Sequence, residues 1–266
     1  METNRIKGKI AFISGASSGI GKAVAEKLAQ MGVNLILCAR RADVLAELKA
    51  KLEKEHAIEV ITLVFDVRNY QEVAKNIQSL PEKWQKIDIL INNAGFGAVG
   101  RFDKSDISTD LNMIDVNVKA LHYIAHQMMP HFIERDYGHI INVGSVAGLM
   151  PGGPYMATYY ATKSYVVSLT NALAEELKRL GSHAQIHALC PGPVNTEFND
   201  VANVKFSLKG ISARECVSYC IDEADKGKII IVPNMMVKAA IIASKFVPRE
   251  IVLGIVARSQ NSKIER

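Results

Sequence analysis

The chain is poor in cysteine and has no hydrophobic run free enough of charge to span a membrane. Its four cysteines include no Cys-x-x-Cys pair, so the sequence indicates neither a zinc site nor a dithiol redox centre, and we expect no metal. Cysteines used in this way are typical of buried thiols in a reducing compartment. The polar first residues lack the pattern of a secretory signal or transit peptide, so the expected location is the cytoplasm.

The chain also has only a small excess of positive over negative charge. The formal net charge is +5, and the basic residues are scattered along the chain, which gives no indication of a nucleic-acid partner. A composition of 48% hydrophobic and 22% charged residues is typical of a globular protein. The 266 residues fit one domain of ordinary α/β size.

Short runs rich in β-branched residues alternate with longer segments of helical period. This alternation predicts an α/β fold, a single doubly wound Rossmann-type domain with a seven-stranded parallel sheet and helices on both faces. The predicted strands are 9–14, 34–39, 59–65, 87–92, 139–144, 185–190 and 228–232. The predicted helices are 19–31, 42–55, 70–79, 109–132, 159–180 and 212–224. In such sheets ligands bind beyond the carboxyl ends of the strands.

The C-terminal part differs in composition from the rest. We assign residues 1–233 to the cofactor-binding and catalytic domain, with a mobile lid near 194–210, and residues 234–266 to an apolar and basic helical extension of it. Charges interrupt the apolar stretch 235–257, which argues against a membrane span. We expect it to pack on its own subunit or on a partner in a homodimer or homotetramer. Peripheral membrane contact, with Lys238 and Lys245 on one helical stripe, is the alternative.

A glycine-rich turn lies between the first predicted strand and the first predicted helix. Its three glycines let the backbone turn tightly, and the helix N-terminus offers unpaired N–H groups to a pyrophosphate. The alternative is a simple tight turn. The residues predicted to contact the cofactor here are Gly15, Ser17, Ser18, Gly19, Ile20 and Gly21.

The second predicted strand ends at Ala39, Arg40 and Arg41, where an NAD-binding fold would place an acidic residue. Guanidinium groups in its place favour a 2′-phosphate and therefore NADP(H). The alternative is that the arginines belong only to a solvated loop. Further along the same edge, Asp66 and Val67 are candidates for contacts with adenine, and small residues follow the fourth strand in a block that would pass close to a ribose or nicotinamide: Asn93, Ala94 and Gly95.

A tyrosine and a lysine lie four residues apart on a predicted helix. Tyr159 and Lys163 therefore share one helical face. Ser145 follows the fifth predicted strand, on the same edge of the sheet as the glycine-rich turn. This edge is the predicted reacting end of the site.

Together these blocks resemble the short-chain dehydrogenase/reductase family, in its single-domain branch that prefers NADP(H). The resemblance covers nearly the whole chain and includes the glycine turn, the block Asn92 to Gly95 and the positions of Ser145, Tyr159 and Lys163. It adds the active-site asparagine at Asn117. It also adds further cofactor contacts after the sixth strand, at Pro191, Gly192, Val194 and Thr196. Ser18 departs from the basic residue that NADP-using relatives often have, so the cofactor preference depends mainly on the two arginines.

The resemblance implies an oxidoreductase that interconverts a carbonyl and a secondary alcohol by hydride transfer. Tyr159 would act as the general acid and base, with its pKa lowered by Lys163 and by an oxidised nicotinamide, and Lys163 would also hold the nicotinamide ribose. Ser145 would bind the substrate oxygen, and Asn117 would anchor a water. Segments 149–158 and 194–210 contain few charges, which favours a hydrophobic small-molecule substrate; their large apolar residues are Met150, Tyr155, Met156, Phe198 and Phe206. The alternative is an NADP-binding sensor without catalysis, or a membrane-surface protein, on the same fold.

Overall fold

The main sheet has the predicted seven parallel strands. A computed structural model describes residues 6–198 and 210–261 of the chain. The strands are β1 Ile10–Ser14, β2 Asn34–Ala39, β3 Val60–Val64, β4 Ile89–Asn92, β5 His139–Val143, β6 Gln185–Leu189, β7 Val194–Asn195, β8 Ile211–Ser212 and β9 Ile230–Ile231. The order across the main sheet is β3-β2-β1-β4-β5-β6-β9, and β7 and β8 form a separate small ladder. The crossover between β1 and β4 is the reversal point at which such folds bind ligands.

Helices cover both faces of the sheet, as predicted. They are α1 Gly19–Gln30, α2 Ala42–Glu55, α3 Tyr70–Gln78, α4 Glu82–Gln85, α5 Ile107–Ile114, α6 Leu121–Glu134, α7 Ala157–Arg179, α8 Ala213–Asp225, α9 Met235–Ser244 and α10 Arg249–Asn261. Side chains of β1 alternate between two cores: Ala11 and Ile13 pack with α1, α2 and α8, whereas Phe12 packs with α3 and α6. Because both faces are covered, every residue of β1 is buried.

The long helix predicted over 109–132 is interrupted. A π-helical stretch, Asp115–Ala120, separates α5 from α6 and contains Asn117. Single π-helical turns inside α-helices are frequent at functional sites. Short 3₁₀ turns at Phe102–Lys104 and Val146–Leu149 were not predicted.

The four cysteines are free and buried, as the sequence predicts. The edge strand predicted at 228–232 is shorter than expected, since only Ile230–Ile231 pairs with β6. Of the predicted lid, Val194–Asn195 forms β7, while 199–209, including Phe206, lies outside the described residues. The C-terminal extension forms α9, which ends at Ser244, and α10, which begins directly after Pro248, since proline is tolerated at the start of a helix but not in its interior.

Candidate active site

Tyr159 and Lys163 lie one above the other near the start of α7, and both side chains are buried. The Lys163 Nζ atom lies 5.9 Å from the centre of the Tyr159 ring. Lys163 also donates a hydrogen bond of 2.8 Å to the carbonyl oxygen of Val143, at the end of β5. Gly148 lets the preceding turn approach α7, because a Cβ atom there would come within 2.3 Å of the Lys163 carbonyl oxygen. The ammonium is thus fixed between α7 and the carboxyl edge of the sheet.

Ser145 caps the 3₁₀ turn that follows β5. Its Oγ atom accepts a hydrogen bond of 3.1 Å from the backbone N–H of Ala147. Hydrogen bonding from this side chain lowers the pKa of Tyr159, so the serine and tyrosine side chains are neighbours at the carboxyl edge of the sheet.

Burial is the main cause of the pKa shifts of Tyr159 and Lys163 on α7. It raises the pKa of Tyr159 to about 12, and the hydrogen bond with Ser145 opposes the rise. This direction is opposite to the lowering expected from Lys163, and the lowering by an oxidised nicotinamide stays a prediction. Burial lowers the pKa of Lys163 to about 8, because the charged ammonium loses solvation. At neutral pH the phenol keeps its proton.

Asn117 uses its side-chain amide to connect three segments. Its Oδ1 atom accepts a hydrogen bond of 3.0 Å from the Phe96 N–H, and its Nδ2 atom donates to the Phe96 carbonyl at 2.9 Å. A further bond of 3.1 Å joins Nδ2 to Thr162 on α7. Gly95 lies against both functional groups, since a Cβ atom there would come within 2.9 Å of Asn117 Oδ1 and 3.4 Å of Lys163 Nζ. Asn117 therefore positions the loop after β4 against α7.

The glycine turn has the conformation that an anion cradle requires. Gly15 and Gly19 have φ angles of +65° and +54°, which L side chains rarely adopt. Asn93 holds the turn by donating from Nδ2 to the carbonyl oxygens of Ser14 and Gly15, at 3.1 and 3.0 Å. A Cβ atom at Gly21 would come within 2.3 Å of the Gly15 carbonyl oxygen, so glycine is required for this packing.

The N-terminus of α1 fits a phosphate group. Within the described chain, Ser18 makes no side-chain cap hydrogen bond there, and the first turn of the helix contains no acidic residue. Its first N–H groups and the positive end of its dipole therefore suit an anionic ligand. Ile20 packs partly into the core behind this turn.

The two arginines after β2 flank the glycine turn. Arg41 donates to the Ser17 Oγ at 3.1 Å and carbonyl oxygen at 3.2 Å, and it forms an ion pair of 3.1 Å with Glu197. Arg40 is largely exposed, with its Nη1 atom 3.9 Å from a carboxylate oxygen of Asp66. Ala39 is buried at the end of β2. Glu197 was not among the residues predicted from sequence.

Asp66 is held by Arg68, which was also not predicted. The Arg68 guanidinium donates to both carboxylate oxygens, at 3.0 and 2.7 Å, and these hydrogen bonds lower the pKa of Asp66. Val67 is buried beside it. The pair presents a fixed carboxylate at the end of β3.

The segment after β6 closes this edge of the site. The Pro191 carbonyl oxygen accepts a hydrogen bond of 3.0 Å from the N–H of Val146, beside Ser145. Thr196 lies against Gly19, where a Cβ atom would come within 3.3 Å of its side chain. Val194 is buried, and Gly192 faces Val237 of α9. The predicted residues after strands β1 to β6 thus share one edge of the sheet.

Apolar side chains surround Tyr159. Phe198 lies 5.7 Å from it between ring centres. Met156 and Tyr160 form one buried cluster with Val252 and Val256 of α10. Tyr160 is a packing residue, as predicted, and its hydroxyl accepts a hydrogen bond of 2.8 Å from Gln260. The sequence did not predict that α10 contributes to this wall. Its buried residues Val252 and Val256 are more than 90 residues from Tyr159 along the chain.

A separate cleft of about 260 Å³ lies beside the start of α7, and neither Ser145 nor Tyr159 lines it. Its wall comes from the loop around the 3₁₀ turn at Phe102–Lys104 and from the residues that begin α7. It nevertheless adjoins the apolar cluster around Tyr159, because Met156 belongs to both and Tyr155 also lines the cleft.

The chain is similar in sequence to known short-chain dehydrogenases and related oxidoreductases. A family model described as short chain dehydrogenase matches residues 9–205. The NADP-dependent 3-hydroxy acid dehydrogenase of Schizosaccharomyces pombe is 37% identical over 203 residues, which cover 74% of this chain and 76% of that protein. Oxidoreductase UcpA of Escherichia coli K12 is 38% identical over 196 residues, with 72% of each chain covered.

The fold is also similar to solved structures of short-chain dehydrogenases. A short-chain dehydrogenase from Sphingobium yanoikuyae in complex with NADPH has a TM-score of 0.80 and 32% identity, covering 89% of this chain and 92% of that one. A short chain dehydrogenase/reductase from Burkholderia phymatum in complex with NAD has a TM-score of 0.81 and 28% identity, with the same coverage.

Proposed function

Because the chain belongs to the short-chain dehydrogenase family, we propose that it is an NADP(H)-dependent oxidoreductase that interconverts a carbonyl and a secondary alcohol. The observation that carries this proposal is the convergence of Ser145, Tyr159 and Lys163, all buried, at the carboxyl edge of the sheet. Buried titratable groups gathered in this way are typical of catalytic sites.

The choice of NADP(H) over NAD(H) rests on charge. Arg40 and Arg41 follow β2, where an acidic residue would accept a ribose 2′-hydroxyl. Two of the similar proteins named above are NADP-dependent or bind NADPH, and the complex with NAD is the less identical of the two structures. The glycine turn and the uncapped start of α1 would hold the pyrophosphate, and Asp66 and Val67 would flank the adenine.

The protein residues divide the acid–base work. The cofactor, when bound, supplies or accepts the hydride. With a pKa of about 12, Tyr159 is protonated at neutral pH and can donate its proton to the substrate oxygen during carbonyl reduction. Ser145 donates a hydrogen bond to the same oxygen as negative charge develops on it. Lys163, with a pKa of about 8, is mainly a cation at pH 7 and stabilises the phenolate left on Tyr159.

The substrate that this site fits is a hydrophobic carbonyl compound or alcohol. The wall beside Tyr159 consists of apolar and aromatic side chains, among them Met156, Phe198 and Val252. Pockets of this kind take up apolar groups and use a few polar atoms to orient them. Here the hydroxyls of Ser145 and Tyr159 would orient the reacting oxygen.

Substitution of Tyr159 by phenylalanine tests the proposal. We expect Tyr159→Phe to lower turnover of NADPH with an aromatic or aliphatic ketone by at least about a hundredfold, because general acid catalysis is lost. NADPH binding should stay nearly unchanged. Tyr165→Phe is the matched control, since this tyrosine is on the same helix but bonds to His122 at an exposed position. Near-normal turnover by Tyr159→Phe would refute the role of the phenol. A non-catalytic sensor would instead show NADPH binding with no single-turnover oxidation by any ketone in the wild type.

A further inference from the structure

The side of α9 that faces solvent is apolar. Met235, Ala239 and Ile242 follow one another at spacings of four and three residues, which places them on one line along the helix, and Phe246 lies in the turn that follows it. All four are exposed, with 51% of Ile242 and 86% of Phe246 accessible. Met236 and Ala243 widen this line. These six residues form the C-terminal apolar face.

The C-terminal apolar face is not needed to hold α9 on the protein. Its opposite side already packs: Ile241 is buried in a cluster with Val232, and Val237 joins the same cluster. The next helix, α10, is likewise anchored by Val252 and Val256. Surface helices normally place polar residues away from the core, so an apolar outer side indicates a surface that is covered in another state.

The charges beside this face are nearly all positive. Between residues 233 and 261 the chain has four basic residues and one acidic residue, Glu250. The basic residues are Lys238, Lys245, Arg249 and Arg258. Lys238 and Lys245 lie on one flank of α9, seven residues apart. An apolar helix face bordered by lysine and carrying an exposed phenylalanine is typical of a helix that lies in a membrane interface.

We propose that the C-terminal apolar face docks on an anionic lipid surface. Phe246, Ile242 and the two methionines would enter the boundary between headgroups and acyl chains, and the lysines would contact lipid phosphates. Charge argues against a second copy as the occupant, because a two-fold contact would place this basic segment against itself. The contact is peripheral, since within residues 6–198 and 210–261 no helix has the length and hydropathy to cross a bilayer.

Docking at this face would also bring lipid near the predicted substrate segment 149–158, because Met150 packs in the same cluster as Val237 and Ile241 of α9. Arg249, at the start of α10, donates a hydrogen bond of 3.0 Å to the carbonyl oxygen of Pro151. Leu253 lies against Gly152, and Gln260 bonds to Tyr160. The membrane proposal does not depend on the proposed function, and it is tested by binding alone.

Co-sedimentation of the full chain with vesicles is the test. We expect binding to phosphatidylcholine vesicles that contain phosphatidylglycerol, weaker binding to pure phosphatidylcholine, and loss of binding as salt rises. Phe246→Ser should lower the partition coefficient at least about tenfold, because a large apolar side chain no longer enters the interface. Lys238→Gln with Lys245→Gln should lower it about thirtyfold on anionic vesicles, since two charges are removed.

Leu180→Ser is the matched control, because Leu180 is 64% exposed at the end of α7, away from this segment. It should bind like the wild type. Circular dichroism and NADPH binding verify that each variant is folded. Failure of the folded wild type to bind anionic vesicles would overturn the proposal. So would equal losses in Phe246→Ser and Leu180→Ser. If Phe246→Ser instead dissociates an oligomer in sedimentation velocity without changing vesicle binding, the face is an interface between copies and the proposal is wrong.

Discussion

The ion pair between Arg41 and Glu197 makes a quantitative prediction about cofactor affinity. Arg41 is the better placed of the two arginines to meet a 2′-phosphate, because its hydrogen bonds to Ser17 hold it against the glycine turn. Its Nη2 atom is also 3.1 Å from the Glu197 carboxylate. A phosphate arriving at this guanidinium must therefore compete with a carboxylate. Removing that carboxylate should tighten NADPH binding.

The size of the effect follows from exposure. The two side chains are 45% and 57% accessible, and exposed pairs of this kind contribute about 0 to 1 kcal/mol. Glu197→Gln should accordingly tighten NADPH by no more than about fivefold. Arg41→Ala removes charge-assisted hydrogen bonds worth about 1.5–3 kcal/mol, so NADPH should bind about ten- to a hundredfold more weakly. NADH, which lacks the 2′-phosphate, should change little in either variant.

Titration of NADPH and NADH by nucleotide fluorescence measures both affinities without a substrate. The gain from Glu197→Gln should shrink as salt rises, because screening weakens exposed charges. Glu59→Gln is the control, since it removes an exposed carboxylate that pairs with Lys83 far from this edge. Weaker NADPH binding by Glu197→Gln would show that the carboxylate orients Arg41 and does not compete for it. Equal losses of NADPH and NADH in Arg41→Ala would refute the phosphate role of Arg41.

Two further predictions concern stability and backbone packing. Burial lowers the pKa of His139 to about 4. As pH falls below about 6.5, the unfolded chain therefore takes up a proton at this histidine before the folded chain does, and the free energy of unfolding falls. Between pH 7 and pH 5 this group lowers the free energy of unfolding by about 2 kcal/mol. Urea unfolding should show this loss in the wild type and in the exposed control His126→Phe, and a smaller one in His139→Phe; equal losses in all three would contradict it. Gly148→Ala should cost about 1–3 kcal/mol of stability and slow turnover, because its Cβ would overlap the Lys163 backbone. Gly254→Ala, with open space around its Cβ, should do neither in the same assays.

The central strands could be predicted because their sequences leave little choice. Buried parallel strands are continuous apolar runs, so β1, β2 and β5 were found to within a residue at each end. The length of the edge strand β9 was overestimated, since the prediction covered 228–232 and only Ile230 and Ile231 pair with β6. The π-helical turn at Asn117 could not be read from periodicity, which continues through it with the spacing of an ordinary helix.

The site residues on strand ends were predictable, but their partners were not. Strand order alone brings Gly15, Asn93 and Ser145 to one edge of the sheet. Glu197 becomes visible only once a loop distant in sequence is seen to meet Arg41. Arg68 is two residues from Asp66, but the sequence does not show that its side chain turns back onto that carboxylate. The effect of burial on the Tyr159 pKa was missed for a related reason. The sequence shows the lysine four residues away, whereas it does not show how completely the phenol is buried.

The C-terminal helices show where hydrophobic periodicity stops being informative. In α9 the inward residues Val237 and Ile241 and the outward residues Met235 and Ile242 are all apolar, so no polar side marks the surface. Only the packing of Ile241 beneath the helix decides which side is left exposed. A separate cluster, with Val252 and Val256, places α10 beside Tyr160, where Gln260 bonds to the hydroxyl of the ring adjacent to Tyr159. The surface proposed to bind lipid and part of the wall beside the site are therefore built from one short segment of the chain.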